Sequence, residues 1–249
     1  MTAAVSAPAL EVSNLKKAFG GFAVTQGIFL SVRPGERRLI IGPNGAGKTT
    51  LFNQISGDIR PNSGLIRLFG IDVTRLPSYR RAHLGLSRTY QIITLFAGDT
   101  LQHNVMLGLL GLRRARWQMW YPASFDLAIE ARRSLDSVGL LHLAAHPASE
   151  LAYGEKRRVE LAIALSQKPR VLLLDEPLAG LSNAERSTVK ELIASISRDT
   201  TVIMIEHDMD TALDLADTVS LLNYGRVVVE GDRDAVIADE RTREVYLGT

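Results

Sequence analysis

Leu39-Ile40-Ile41-Gly42-Pro43-Asn44-Gly45-Ala46-Gly47-Lys48-Thr49-Thr50 is the stretch on which the fold turns. Three large aliphatic residues read as a short buried strand, and Leu51, Phe52 and Ile55 then recur at helical spacing up to Gly57. Between them lies Gly42-x-x-x-x-Gly47-Lys48-Thr49, a P-loop pattern whose glycines let successive backbone N–H groups point at a phosphate chain with no Cβ in the way. The positive end of the following helix adds to that anion site. Lys48 is expected to reach the β- and γ-phosphates of a nucleotide, and the Thr49 hydroxyl to ligate Mg²⁺. Pro43, Asn44, Gly45, Ala46 and Thr50 complete the expected cradle.

Downstream, Val171-Leu172-Leu173-Leu174-Asp175-Glu176-Pro177 reads as a second buried strand that carries two adjacent carboxylates to its carboxyl end, where α/β sheets bind ligands. Neighbouring carboxylates repel unless a cation is near. Asp175 suits the Mg²⁺ shell, directly or through water, and Glu176 suits a general base that polarises the attacking water.

Upstream, alternation over Leu10–Leu15 and Phe22–Val32 predicts paired strands, closed by the turn Arg33-Pro34-Gly35-Glu36. From about Leu84 to Ser149 the pattern is helix-compatible, including Asp126–Val138, with breaks at Pro122 and Pro147. From Val171 onward short β runs alternate with helices: Ala184–Ser197 as helix, Val202–Ile205 as strand, Met209–Ala216 as helix, Thr218–Leu222 as strand. That alternation predicts an α/β fold with a mostly parallel central sheet.

The 249 residues, 46% of them hydrophobic, suffice for a large domain with a real core. Lys and Arg number 29 against 27 Asp and Glu, spread along the chain, which argues against a dedicated nucleic-acid binder. With no cysteine, a disulfide framework and a thiolate metal site are excluded. Met1–Leu10 lacks the basic start and long apolar stretch of a secretory signal and reads as a loose leader. The longest apolar runs fall far short of the roughly 20 residues that span a bilayer, so the chain is expected to be soluble by itself.

Taken in order, the P-loop, Arg88-Thr89-Tyr90-Gln91 with Leu95-Phe96, Leu151-Ala152-Tyr153-Gly154-Glu155-Lys156-Arg157-Arg158, Leu174-Asp175-Glu176-Pro177 and Ile205-Glu206-His207-Asp208 resemble the ATPase subunits of ABC transporters over nearly the whole chain. Within them the chain looks most like the branched-chain-amino-acid importer type. The resemblance implies a P-loop NTPase of the ABC ATPase kind, with an antiparallel β subdomain and an inserted α-helical subdomain. Residues 1–249 would form one such domain, about 10–83 and 166–249 making the core plus β subdomain and about 84–165 the helical subdomain.

The same resemblance implies that Phe19 stacks on the adenine with Val24 alongside; an ordinary core strand residue is the alternative reading of Phe19. It implies that Gln91 senses the γ-phosphate and Mg²⁺, that His207 contacts the γ-phosphate, and that Ala152, Tyr153, Gly154 and Glu155 open a helix whose free N–H groups receive a nucleotide from a partner subunit. Ala152 stands where the general pattern has serine, and Ser182 where it has aspartate. With a methyl group at position 152, the Gly154 N–H and its neighbours are expected to carry that contact. ATP and Mg²⁺ are the implied cofactors. The implied partners are a second ATPase subunit, permease subunits on separate chains and, indirectly, a solute-binding protein. The implied location is the cytoplasmic face of the cell membrane. Arg113–Tyr121, basic and aromatic, is readable as a partner-contact stretch, as a solvated helix, or as a nucleic-acid patch. The rival functions are an ABC ATPase acting on DNA or ribosomes and a non-hydrolysing nucleotide-binding regulator.

Overall fold

The computed structural model describes residues 7–112, 125–207 and 212–247. Two antiparallel strands, β1 (Leu10–Phe19) and β2 (Phe22–Val32), lead through the turn at 33–36 into β3 (Arg37–Ile41), the glycine loop and α1 (Lys48–Ser56). Then come β4 (Ser63–Leu68), β5 (Ile71–Asp72), α2 (Ser78–His83) and β6 (Leu86–Arg88). Three helices follow, α3 (Leu101–Leu112), α4 (Phe125–Ser137) and α5 (Tyr153–Ser166). The chain closes with β7 (Val171–Asp175), α6 (Asn183–Ser195), β8 (Thr201–Ile205), β9 (Thr218–Asn223), β10 (Arg226–Gly231), α7 (Arg233–Ala238) and α8 (Glu240–Leu247).

Among the described residues the strands form a four-stranded antiparallel sheet in the order β2-β1-β4-β5 and a six-stranded sheet in the order β10-β9-β3-β8-β7-β6. In the larger sheet β9 through β6 are parallel and only β10, at the edge, runs antiparallel. All five residues of β3, β7 and β8 are buried, as expected for strands covered on both faces. Their carboxyl ends therefore emerge on one side of the molecule, carrying Gly42, Glu176 and Glu206.

One apolar core fills the space between the antiparallel sheet, α1 and one face of the parallel sheet, with Leu10, Leu15, Ile28, Phe52 and Ile66 buried in it. The other face of the parallel sheet packs on α6 through Val189 and Ile193 and on α5 through Leu161 and Ala164. A third core joins α3, α4 and α5 through Val105, Leu135, Val159 and Ala162. Each large aliphatic side chain so buried contributes about 1.5–3 kcal/mol. Because α5 buries residues in two cores at once, it is the rigid joint between the parallel sheet and the helices.

The C-terminal carbonyls of α1 are satisfied by the buried Arg81, which donates to Gln54 O and Ile55 O at 2.7 Å each and to Leu76 O at 2.9 Å. The end of the helix that begins at the glycine loop is thus fixed from a second element.

Several sequence readings change. Within the stretch read as helix-compatible, Leu86–Arg88 is a strand, paired in register with Val171–Leu173. Three residues are too few to display a period of two. Leu10 belongs to β1, as its place in the expected strand implies, and Ala9, read as part of a loose leader, is already buried and bonded to Val32 O; residues 1–6 lie outside the described residues. Of the helix expected over Met209–Ala216, residues 209–211 lie outside the described residues, Ala212 is helical as expected, and Leu213–Leu215 form a 3₁₀ turn. The Arg113–Tyr121 stretch also lies outside them.

Candidate active site

Two glycines of the loop are required by close backbone approach. A Cβ at Gly42 would lie 2.1 Å from Leu222 O, and one at Gly47, where φ is 100°, would lie 2.8 Å from Val24 O. The loop is thereby seated between β9 and β2, with Val24 at its side. Lys48 is buried, and its Nζ donates to Gly42 O at 2.6 Å and Pro43 O at 3.0 Å, so the ammonium is held over the loop by the loop's own carbonyls. Burial draws the Lys48 pKa below the ordinary lysine value, while the charges of Glu176 and Asp175 push it back up. Asn44, Gly45 and Thr49 are exposed, Pro43 and Thr50 half-buried, and Ala46 buried. Phe19, at the end of β1, is 47% exposed and has the Lys17 ammonium 5.1 Å above its ring. It is not a core residue, so the plain packing alternative falls.

The two carboxylates ending β7 have different partners. Asp175 is 1% exposed; its Oδ2 accepts from Arg88 Nη2 at 2.7 Å, and its Oδ1 is buried with no partner. An orphaned buried oxygen of this kind fits Mg²⁺ or one of its waters, which takes oxygen ligands and keeps part of its hydration shell. Arg88 is itself clamped by Asn53 Oδ1 at 2.7 Å, Ser56 Oγ at 3.0 Å and Asp58 at 3.1 Å. Glu176 is half-buried, with φ 48° and its N–H bonded to Ile205 O, and its Oε2 accepts from Gln91 Nε2 at 3.0 Å. A non-glycine residue in the left-handed region is a strained conformation that the surroundings must enforce.

His207 follows β8 and is exposed. Beside it Glu206, quoted in its motif but given no role from sequence, is 3% exposed and accepts from the N–H groups of Leu178, at 2.9 Å, and His207. Burial pushes its pKa up to about 7, the nearby Glu176 charge adding to the rise and the two N–H donors opposing it.

Ala152 caps α5, and its N–H donates to Glu155 Oε2 at 2.9 Å. Ala152 and Tyr153 are exposed, Glu155 half-buried and Gly154 buried. The Gly154 N–H faces the Glu185 carboxylate of α6, and a Cβ at position 154 would lie 2.3 Å from Glu185 Oε1. Glu185 also accepts from Ser182 N at 2.9 Å and Ser182 Oγ at 2.6 Å. Nothing in the order of residues linked positions 154 and 185; only the packing of α5 against α6 brings them together.

Gln91, Glu176, Asp175 and Lys48 are thus joined by hydrogen bonds or charge, with Phe19 and Val24 on the β1–β2 side of the loop. A family model described as ABC transporter matches residues 25–179. The chain is 36% identical to the high-affinity branched-chain amino acid transport ATP-binding protein BraF of Pseudomonas aeruginosa, over 98% of this chain and 99% of that protein. It is 34% identical to the corresponding protein LivG of Escherichia coli K12, again over 98% of this chain and 99% of that one. Among solved structures, the ADP conformation of MJ1267, an ATP-binding cassette of an ABC transporter, superposes with a TM-score of 0.87 at 28% identity, covering 97% of this chain and 99% of that one.

Proposed function

From the premise that the chain belongs to the ABC transporter family, we propose that it is the ATP-hydrolysing subunit of a membrane importer whose solute is a branched-chain amino acid or a related small organic molecule. The named relatives are transport proteins, which favours this reading over an ATPase acting on DNA or ribosomes. The observation that carries hydrolysis, rather than binding alone, is the Gln91–Glu176 hydrogen bond beside a buried aspartate and the loop lysine.

In this reading the backbone N–H groups of 42–47 and the start of α1 hold the phosphates, and Phe19 with Val24 covers the adenine. Lys48 leaves its loop carbonyls to meet the β- and γ-phosphates. Thr49, Asp175 and Gln91 would hold Mg²⁺, which when bound neutralises charge on the phosphate oxygens. Glu176 takes a proton from water as it attacks the γ-phosphorus and the bond to ADP breaks; Gln91 fixes that carboxylate, and His207 faces the phosphate. The second nucleotide-facing surface, Ala152–Glu155, is completed by another ATPase subunit.

Among the described residues no helix is long and apolar enough to cross a membrane. In this reading the membrane path belongs to separate permease chains, and this subunit sits at their cytoplasmic face. The groove lined by Tyr79, Leu86, Tyr90, Leu95 and Ile163, next to exposed Ile92 and Phe96, is an apolar surface adjoining the Gln91 loop and supports that contact.

Steady-state phosphate release and a nucleotide titration test the reading. Glu176→Gln should bind ATP and lose nearly all turnover, because the amide keeps the shape and removes the basic oxygen. Lys48→Ala should weaken binding itself. Wild-type hydrolysis by Glu176→Gln would remove Glu176 from the catalytic role, and absence of permease subunits after purification from detergent-solubilised membranes would remove the transport role.

A further inference from the structure

Arg157 is almost wholly buried, its side chain 1% exposed, and it lies on α5 rather than at the phosphate site. Its Nη1 donates to Tyr90 O at 3.0 Å and to Glu160 Oε2 at 2.8 Å; its Nη2 donates to Gln91 O at 3.4 Å and to Tyr153 Oη at 3.2 Å. Glu160, one turn along α5, accepts the Tyr90 N–H at 2.9 Å on its other oxygen. The pair therefore grips both sides of the Tyr90 peptide and the carbonyl of the next residue. Burial raises the Glu160 pKa above its ordinary value, the Tyr90 N–H and Arg157 opposing the rise.

A buried ion pair is a weak source of stability, because desolvation offsets most of its attraction, and apolar residues of similar volume often serve the fold as well or better. What an apolar pair cannot do is fix main-chain donors and acceptors at set distances. The main chain fixed here is that of Gln91, whose side chain bonds Glu176. The same guanidinium reaches Tyr153, the first residue of α5, and Tyr153 in turn packs beside Gly180 in the loop after Glu176, where a Cβ would lie 3.2 Å from its ring.

We propose that Arg157 and Glu160 are positioning residues for hydrolysis: they hold the Gln91 main chain in register with Glu176 and tie it to the start of α5, so that the nucleotide-sensing loop and the partner-facing helix end move as one body. This inference rests on the hydrolytic reading of Glu176.

The test is the double variant Arg157→Met/Glu160→Leu in the full chain, with Arg157→Lys as its companion. The apolar pair should leave the melting temperature and nucleotide affinity near wild type, lower kcat at least about tenfold, as loss of register between reacting groups does, and speed hydrogen exchange at the Tyr90 amide. Lysine keeps the charge beside Glu160 but lacks the planar fork that reaches two carbonyls and a hydroxyl, so Arg157→Lys should also lower kcat with unchanged affinity. Should the double variant fail to fold, Arg157→Lys decides alone. Wild-type kcat in the folded variants, unchanged exchange at Tyr90, or a fall in nucleotide affinity as large as the fall in kcat overturns the proposal. If the wild-type chain itself releases no phosphate, it is the hydrolytic reading that fails, and this inference with it.

Discussion

Asp175 and Glu176 are neighbours in sequence and opposites in surroundings. Asp175 is enclosed, with one oxygen neutralised by Arg88 and the other left over, whereas Glu176 is turned by a left-handed φ toward Gln91 and partly open. One carboxylate is built to stay in place and the other to meet water. A third, Glu206, sits beneath them and titrates where it affects stability. Its folded pKa of about 7 lies above the ordinary 4.5, so between those values the folded chain keeps a proton that the unfolded chain has lost. The stabilisation from that proton is present at the acid side and disappears as pH rises through about 7. Glu206→Gln keeps an acceptor for the Leu178 N–H and removes the titration. Measured by denaturant unfolding from about pH 5 to about pH 8, wild type should therefore lose up to about 3 kcal/mol relative to the variant. Parallel stability curves would show that Glu206 ionises normally.

Among the elements, the start of α5 matters most, because the proposed function makes it the surface that meets a second subunit. A neutral hydroxyl at position 152 would contribute about 1.5–3 kcal/mol to a charged acceptor, and this chain has a methyl group there. In the proposed reading the backbone donor that stands in for it is the Gly154 N–H, which faces the Glu185 carboxylate. A phosphate and a carboxylate cannot share one N–H, and their like charges repel. On that reading, closure of two subunits displaces Glu185. Glu185→Gln retains an acceptor for Ser182 and the α6 cap while dropping the charge, so it should tighten ATP-driven pairing severalfold in a sedimentation titration. Pairing as weak as wild type would mean the carboxylate does not compete. Ala152→Ser should change turnover only modestly. Gly154→Asp is a poor probe of the phosphate contact alone, since any side chain there also collides with Glu185.

For the whole molecule, two of the three cores meet at α5, which contributes Leu161 and Ala164 to one and Val159 and Ala162 to the other. The helices cannot slide on the sheet without unpacking one of them, so the helix end and the Gln91 loop are suited to moving as a unit between open and paired arrangements. In the proposed reading two nucleotides complete one interface, which makes assembly a ligand-linked equilibrium. The Glu176→Gln chain should sediment mainly as a monomer without nucleotide and as a dimer with MgATP. A dimer of equal strength in both conditions would point to a different interface.

What the sequence determined by itself was whatever is encoded locally: the strand, glycine loop and helix around Gly42–Thr50, the buried run ending in Asp175-Glu176, and the ordered motifs that mark the family. Each is a contiguous string whose residue types dictate backbone shape or chemistry. The paired strands at the amino end, and α4 and α6, were legible for the same reason, since long elements display their period. The three-residue β6 was not, because it becomes a strand only by lying against β7. Only the tertiary structure decided that Arg88 takes one oxygen of Asp175, that Glu185 covers the Gly154 N–H, and that Arg157 with Glu160 grips the Gln91 loop. Those contacts join residues 30 or more positions apart on different elements for Glu185, and more than 60 apart for Arg88 and Arg157. Their existence depends on how helices and strands pack, and packing is a property of the whole chain that no local pattern records.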